Sequence, residues 1–249
     1  MLQATTHIGL VRETNEDVAL AEELPDGRSL LVVADGVGGL PGGDVASRTA
    51  VDALADAVRS AAGQEPEVVL RRAFAAANDA VRAGQQGALE RMSTTLVAAL
   101  VDGGTAWVAN IGDSRAYLVA GGEARQLTLD HSWVEESIRA GLMSPDDPLA
   151  ALSRNLITRA IGLEAEAEVD VFWPIDVPPG SVLLLCTDGL HGVLDDQAIA
   201  DAVAASAGAY ASALVDVVLS AGAPDNVAVA LLGESPGSGS GTRPSPDIT

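Results

Sequence analysis

Apolar residues along the chain fall into two textures. Short β-branched and aliphatic runs bounded by glycine or aspartate read as strands: Ser29 to Ala34, Thr94 to Val101, Thr105 to Ile111, Arg115 to Ala120, Val182 to Thr187 and Asn226 to Leu232. Asp102-Gly103-Gly104 joins the second run to the third, and Gly121-Gly122 follows the fourth ahead of a shorter run at Ala124 to Leu127. Both junctions read as hairpin turns, and successive hairpins predict antiparallel sheet. Segments at helical spacing cover Asp44 to Ala62, Val68 to Gln85, Trp133 to Ala140, Asp196 to Ala207 and Tyr210 to Ser220. In the first, Val51, Leu54, Ala55 and Val58 make one apolar stripe. Helices in pairs between groups of antiparallel strands predict a layered α+β sandwich.

Charge and composition narrow the chemistry. The 249 residues can bury a sizeable core, and the formal net charge is -21. All 14 basic residues are arginine, so lysine Schiff-base chemistry and a P-loop lysine are excluded. The acidity argues against nucleic acid as a partner. The one cysteine, Cys186, sits in an apolar run and reads as a buried thiol, so no disulfide within the chain is expected. There is no long apolar run for a membrane and no signal-peptide pattern at Met1 to His7, so the expected compartment is the cytoplasm. From about Glu234 the chain turns to glycine, serine and proline. The expectation is a catalytic body over 1–233 and a flexible tail over 234–249.

Four aspartates mark the ends of strand-like runs: Asp35 in Val-Val-Ala-Asp-Gly, Asp113 in Ile-Gly-Asp-Ser-Arg, Asp188 in Leu-Cys-Thr-Asp-Gly and Asp225 in Pro-Asp-Asn-Val. A strand ending in Asp-Gly brings a carboxylate to the sheet rim, and the glycine lets backbone come close to a ligand. Any one Asp-Gly is more simply a turn. Four strand-end aspartates, with Asn15-Glu16-Asp17 upstream, suggest an all-oxygen site suited to Mg²⁺ or Mn²⁺. Three histidines (His7, His131, His191) and one cysteine offer little for zinc.

The motifs Arg12-Glu13-Thr14-Asn15-Glu16-Asp17, Ala34-Asp35-Gly36-Val37-Gly38-Gly39, Ser93-Thr94-Thr95, Gly112-Asp113-Ser114-Arg115, Asp130-His131-Ser132, Asn155 to Gly162, Thr187-Asp188-Gly189 and Asp225-Asn226-Val227 come in an order that resembles the bacterial branch of the metal-dependent, type 2C, serine/threonine protein phosphatases. The resemblance runs from about residue 5 to about residue 232. It implies a four-layer αββα sandwich, two antiparallel sheets flanked by helix pairs. It also implies hydrolysis of phosphoserine and phosphothreonine by a metal-activated water, without a phosphoenzyme, at a centre of two Mn²⁺ or Mg²⁺ ions with a third site in bacterial members. By motif, Asp35 bridges both metals, the Gly36 carbonyl binds one, and Asp188 and Asp225 complete the other. Asp113, with Asp188, matches the third site. Glu16, Asp17 and Asn226 stand as supporting groups, and Arg12 as the phosphate binder. Without the motif, Arg12 would read as a surface ion pair with Glu13 or Glu16.

Two positions depart from the family pattern. Eukaryotic relatives carry histidine where this chain has Val37, which can transfer no proton, and bacterial members usually carry aspartate where this chain has His7. His131 reads as hydrogen-bonded support and His191 as a loop residue. Met143 to Pro148 matches a flap over about 132–155, beside the cleft. Expected partners are phosphorylated proteins: a bacterial-type kinase, its targets, or an anti-sigma-factor antagonist. The default expectation is a monomer. A phosphoprotein-binding module without turnover and a small-molecule phosphoesterase are the competing readings. The intact set Asp35, Asp113, Asp188 and Asp225 argues against the first.

Overall fold

The computed structural model describes residues 1–37, 41–153, 155–172 and 174–234, save the side chain at 151. Gly38-Gly39 of the second motif and the tail from 235 lie outside the described residues. In chain order come β1 (Leu2–His7), β2 (Asp17–Glu23), β3 (Ser29–Asp35), α1 (Gly43–Arg59), α2 (Pro66–Ala83), β4 (Leu96–Asp102), β5 (Thr105–Ile111), β6 (Arg115–Ala120) and β7 (Glu123–Gln126). They are followed by α3 (Trp133–Arg139), α4 (Pro148–Ser153), β8 (Asp170–Val171), β9 (Ile175–Asp176), β10 (Val182–Cys186), α5 (Asp188–His191), α6 (Asp196–Ala205), α7 (Tyr210–Ser220) and β11 (Val227–Leu232).

The strands form two antiparallel sheets. One runs β1-β11-β10-β6-β7 and the other β2-β3-β4-β5-β8, with β9 also on β5. Side chains alternate across each strand, so a strand covered on both faces must be apolar at every position. β3 shows how. Leu30, Val32 and Ala34 point to a core shared with α1 and α2, while Leu31 and Val33 point to the core between the sheets. In β10, Leu183 and Leu185 face that central core, and Val182, Leu184 and Cys186 face the layer of α6 and α7. β11 divides the same way, with Ala228 and Ala230 inward and Val227, Val229 and Leu231 toward the helices. Three stacked cores therefore give four layers, helix, sheet, sheet, helix, as the resemblance implied. Fully burying one aliphatic side chain is worth about 1.5–3 kcal/mol, so these layers hold the rims rigidly.

The structure adds strands that the apolar pattern did not predict. β1 and β2 are the outer strands of their sheets. β1 has only half-buried and exposed positions, β2 is half-buried from Ala19 to Glu22 and exposed at Glu23, and they carry threonine, alanine or glutamate where the inner strands carry valine and leucine. β8 and β9 are two residues each. Asp188 and Gly189, expected at a strand-to-turn junction, instead open the one-turn helix α5.

Candidate active site

The site is assembled at one end of the sandwich, where both sheets terminate. Asp35 is the last residue of β3, and its backbone is clamped from β4's approach. Asp35 N donates to Thr95 Oγ1 at 3.0 Å, and Asp35 O accepts from Thr95 N and Thr94 Oγ1, both at 2.8 Å. The Ser93-Thr94-Thr95 motif thus fixes where Asp35 points. Thr95 Oγ1 also lies 2.7 Å from Ser114 Oγ, which ties the same threonine to the residue after Asp113. Asp113 itself sits in the β5–β6 loop behind Gly112, whose φ of 104° leaves no room for a Cβ against Thr95.

Asp17 faces Asp35 across the β2–β3 ladder. Asp17 is buried, and its Oδ2 accepts from Thr187 Oγ1 at 2.7 Å, a bond between the two sheets. Thr187 Oγ1 accepts in turn from Ala228 N at 2.9 Å. Asp188 follows at the head of α5, and Gly189 is packed so tightly on the Asn226 carbonyl that any side chain there would collide with it.

Asn226 uses its whole side chain on the N-terminal loop. Nδ2 donates to Ile8 O at 2.8 Å and Thr14 O at 3.0 Å, and Oδ1 accepts from Glu16 N at 2.9 Å. The loop so held presents Arg12 and Glu16 to the site. Arg12 Nη2 donates to Asp225 Oδ2 at 2.6 Å, so its partner is neither Glu13 nor Glu16. Glu16 packs its carboxylate against Gly43 in the first turn of α1.

Two histidines hold the Asp113 loop. His131, buried, accepts from Gly112 N through Nδ1 at 3.1 Å and has Nε2 3.2 Å from Asp170 Oδ2. His191 Nε2 lies 3.0 Å from Asp113 O. Burial pushes both imidazoles down, His191 to about 3, so each is a neutral hydrogen-bonding support. His7, in the departing position, accepts from Gly9 N through Nδ1 at 2.9 Å.

The groups named from the sequence line one pocket of about 230 Å³: Arg12, Glu16, Asp35, Gly36, Asp113, Asp188, Asp225 and Asn226 all reach it, as does Val37. Asp17 stands behind them. The electrostatics are those of carboxylates pressed together without enough positive charge. Burial raises Asp35 well above the usual carboxylate range, helped by the charges of Asp17, Asp188, Asp113 and Asp225. Burial and the Asp188 and Asp225 charges push Asp17 up to about 8, and burial with Asp188 and Asp130 pushes Asp113 up to about 7. Burial, followed by the Asp225 charge, raises Asp188. Among the described residues, no three carboxylate, histidine or cysteine side chains meet as a ready-made cluster. Asp225 is engaged by Arg12. An all-oxygen donor set with unmatched negative charge fits hard divalent cations, which such sites hold partly through waters.

Residues 10–226 match the family described as protein phosphatase 2C. A serine/threonine phosphatase, stp, of Listeria welshimeri is 36% identical over 235 residues, covering 91% of this chain and 93% of that one. The serine/threonine protein phosphatase PstP of Mycobacterium tuberculosis is 36% identical over 225 residues, covering 89% of this chain and 42% of the longer relative. Among solved structures, Stp1 from Staphylococcus aureus superposes with a TM-score of 0.86 at 28% identity, covering 94% of each chain. The catalytic domain of PstP in complex with two manganese ions gives a TM-score of 0.77 at 34% identity, covering 93% of this chain and 96% of that one.

Proposed function

The chain belongs to the protein phosphatase 2C family, and on that premise we propose that it hydrolyses phosphoserine and phosphothreonine in cytoplasmic proteins. The observation that carries the reading is the convergence of Asp35, Asp113, Asp188 and Asp225 on one pocket with Arg12, the one guanidinium among its described lining residues, at its mouth. Asp35, the Gly36 carbonyl, Asp188 and Asp225 are the groups that would hold Mn²⁺ or Mg²⁺, and Asp113 with Asp188 a third ion. Bound cations would acidify a water and offset phosphate charge, so that hydrolysis needs no covalent intermediate.

The protein's own groups do the rest. Arg12 presents a planar fork suited to a phosphate dianion, and moving from Asp225 to substrate exchanges one charge-assisted pair for another. Asp17, held by Thr187, and Glu16, held through its backbone by Asn226, fix the acids behind the rim. Val37 lines the pocket and can donate no proton, so the leaving alkoxide must take its proton from water or another group. The partners fitting this chemistry are phosphorylated proteins such as a serine/threonine kinase and its targets, or a phosphorylated anti-sigma-factor antagonist, met by a monomer.

The test is release of inorganic phosphate from a phosphothreonine peptide with Mn²⁺, with EDTA, and with Asp188→Asn. Turnover only in the first case is expected. Full turnover after exhaustive EDTA treatment would overturn the metal-centre reading, and binding without turnover would return the chain to a phosphoprotein-binding module.

A further inference from the structure

A second cavity, of about 650 Å³, opens directly from the catalytic pocket: Asp113, Asn155, Asp188 and Asp225 line both. A substrate whose phosphate lies beside Arg12 must lay its neighbouring residues into this larger space on one side. Its outer wall is α3, through Val134, Glu135 and Ile138, and the loop Pro145-Asp146-Asp147-Pro148. Its inner wall is the end of α5, through His191 and Val193.

The charges on these walls do not cancel. Among the described residues, Arg115 is the only arginine in the lining, and it is engaged: Nε lies 3.0 Å and Nη2 2.7 Å from Asp130 Oδ2. His191 spends its ring on the Asp113 carbonyl. Glu135, Asp146 and Asp147 have no ion-pair partner among the described residues, although Asp147 Oδ1 accepts from Leu149 N at 2.9 Å. The same outer wall carries Val134, Ile138 and the two prolines, which make it apolar between its charges in sequence. Arginine and lysine match such a surface, because their methylene stems lie on apolar groups while the charged ends reach carboxylates.

Resting on the phosphatase reading, we propose that this cavity is the subsite for residues flanking the phosphorylated residue. Glu135, Asp146 and Asp147 make it select flanks that carry arginine or lysine. The substrate class is then a phosphoserine or phosphothreonine in a basic segment. None of the three carboxylates belongs to the rim that holds the reacting phosphate, so selectivity and chemistry are separable by mutation.

The experiment compares two phosphothreonine peptides, one with arginines and one with glutamates flanking the phosphoresidue, together with an aryl phosphate that has no flanks. With Mn²⁺, kcat/KM for the basic peptide is expected to exceed that for the acidic one by about tenfold or more, shrinking with added salt, as expected for a few partly exposed ion pairs. In Glu135→Gln/Asp146→Asn/Asp147→Asn the preference collapses while aryl phosphate hydrolysis is unchanged. Equal rates on the two peptides, a preference for the acidic one, or a full basic preference in the triple variant would overturn the proposal. Fluorescence anisotropy of the same labelled peptides reads the preference without turnover. Failure to hydrolyse even the aryl phosphate would sink the phosphatase reading, and the binding comparison would still decide the subsite.

Discussion

Arg12 and Asp225, 213 positions apart in the chain, meet as a 2.6 Å ion pair at the mouth of the catalytic pocket. Each has a second claimant under the proposed function, a phosphate for the arginine and a cation for the aspartate. Either ligand therefore competes for a group that the pair engages, and removing one partner releases the other.

Arg12→Ala is accordingly expected to move two measurements in opposite directions. KM for a phosphopeptide should rise about thirtyfold, the equivalent of roughly 2 kcal/mol for a lost charge-assisted contact. Mn²⁺ affinity measured by calorimetry should increase, because Asp225 is freed and a nearby positive charge is gone. If both stay at wild-type values, the pair is a surface contact with no part in binding.

Asp188→Asn should abolish turnover while raising the melting temperature of the metal-free protein. The substitution removes one of the charges that raise Asp35 and Asp17, and it sits at the head of a one-turn helix outside the aliphatic cores. Asp35→Asn should behave alike. A variant that keeps near-wild-type rates, or one that melts well below wild type, would contradict the placement of these carboxylates.

The same crowding sets a pH dependence. Asp113 titrates at about 7 and Asp17 at about 8 in the fold, against about 4 for an ordinary aspartate. The folded chain thus keeps protons that the unfolded chain gives up. The stability this confers is complete below pH 4 and drains away as pH rises through 7 and 8. His131 and His191, held below the free-histidine value in the fold, oppose this weakly near pH 6.5, where the unfolded chain still protonates them in part, and that opposition has faded by about pH 7.5. Metal-free protein should melt lower at pH 8.5 than at pH 6.5, and saturating Mn²⁺ should flatten or reverse the trend. A metal-free melting temperature that climbs across that interval would show the carboxylates to be compensated already.

Thr187 links the sheets through a hydroxyl that donates to Asp17 and accepts from Ala228 N. Thr187→Val keeps the shape and removes both bonds, leaving a buried carboxylate and a buried N–H without that partner. A loss of about 2–4 kcal/mol in denaturant-derived stability is expected, greater at high pH, where Asp17 is ionised. Thr187→Ser should recover most of it. Stability unchanged in the valine variant would mean that water replaces the hydroxyl.

How legible this molecule was in its sequence depended on where each residue lies. β3, β4, β10 and β11 are sandwiched between two apolar layers, so their sequences are unbroken aliphatic runs that announce themselves. β1 and β2 lie at the sheet edges, and their mixed polar and alanine sequences carry no such signal. The rim aspartates were readable because each stands at one end of an aliphatic run, Asp35 and Asp188 as Asp-Gly. That Asp188 starts a helix was not, since the reason is the fit of Gly189 against Asn226, close to 40 positions away. The Arg12–Asp225 pair could not be read from spacing either, because it takes the β1–β11 pairing and the Asn226 strap to bring those segments together. His131 was readable as support from its lone occurrence, while the hold of His191 on Asp113 depends on how α5 packs.

The strap of Asn226 across Ile8, Thr14 and Glu16, reinforced by the full-length pairing of β1 with β11, has a temporal consequence. During synthesis the segment bearing Arg12 and Asp35 leaves the ribosome before residue 226, yet the strap that holds Ile8, Thr14 and Glu16 forms only when the segment around residue 226 has also emerged. Such distant closure is slow in folding, because the entropy of a long loop is lost before its contacts form. The nascent protein therefore carries Glu16, Asp17 and Asp35 through most of the domain's synthesis without a usable active centre. Competence arrives in one late step, when the two ends of the domain meet.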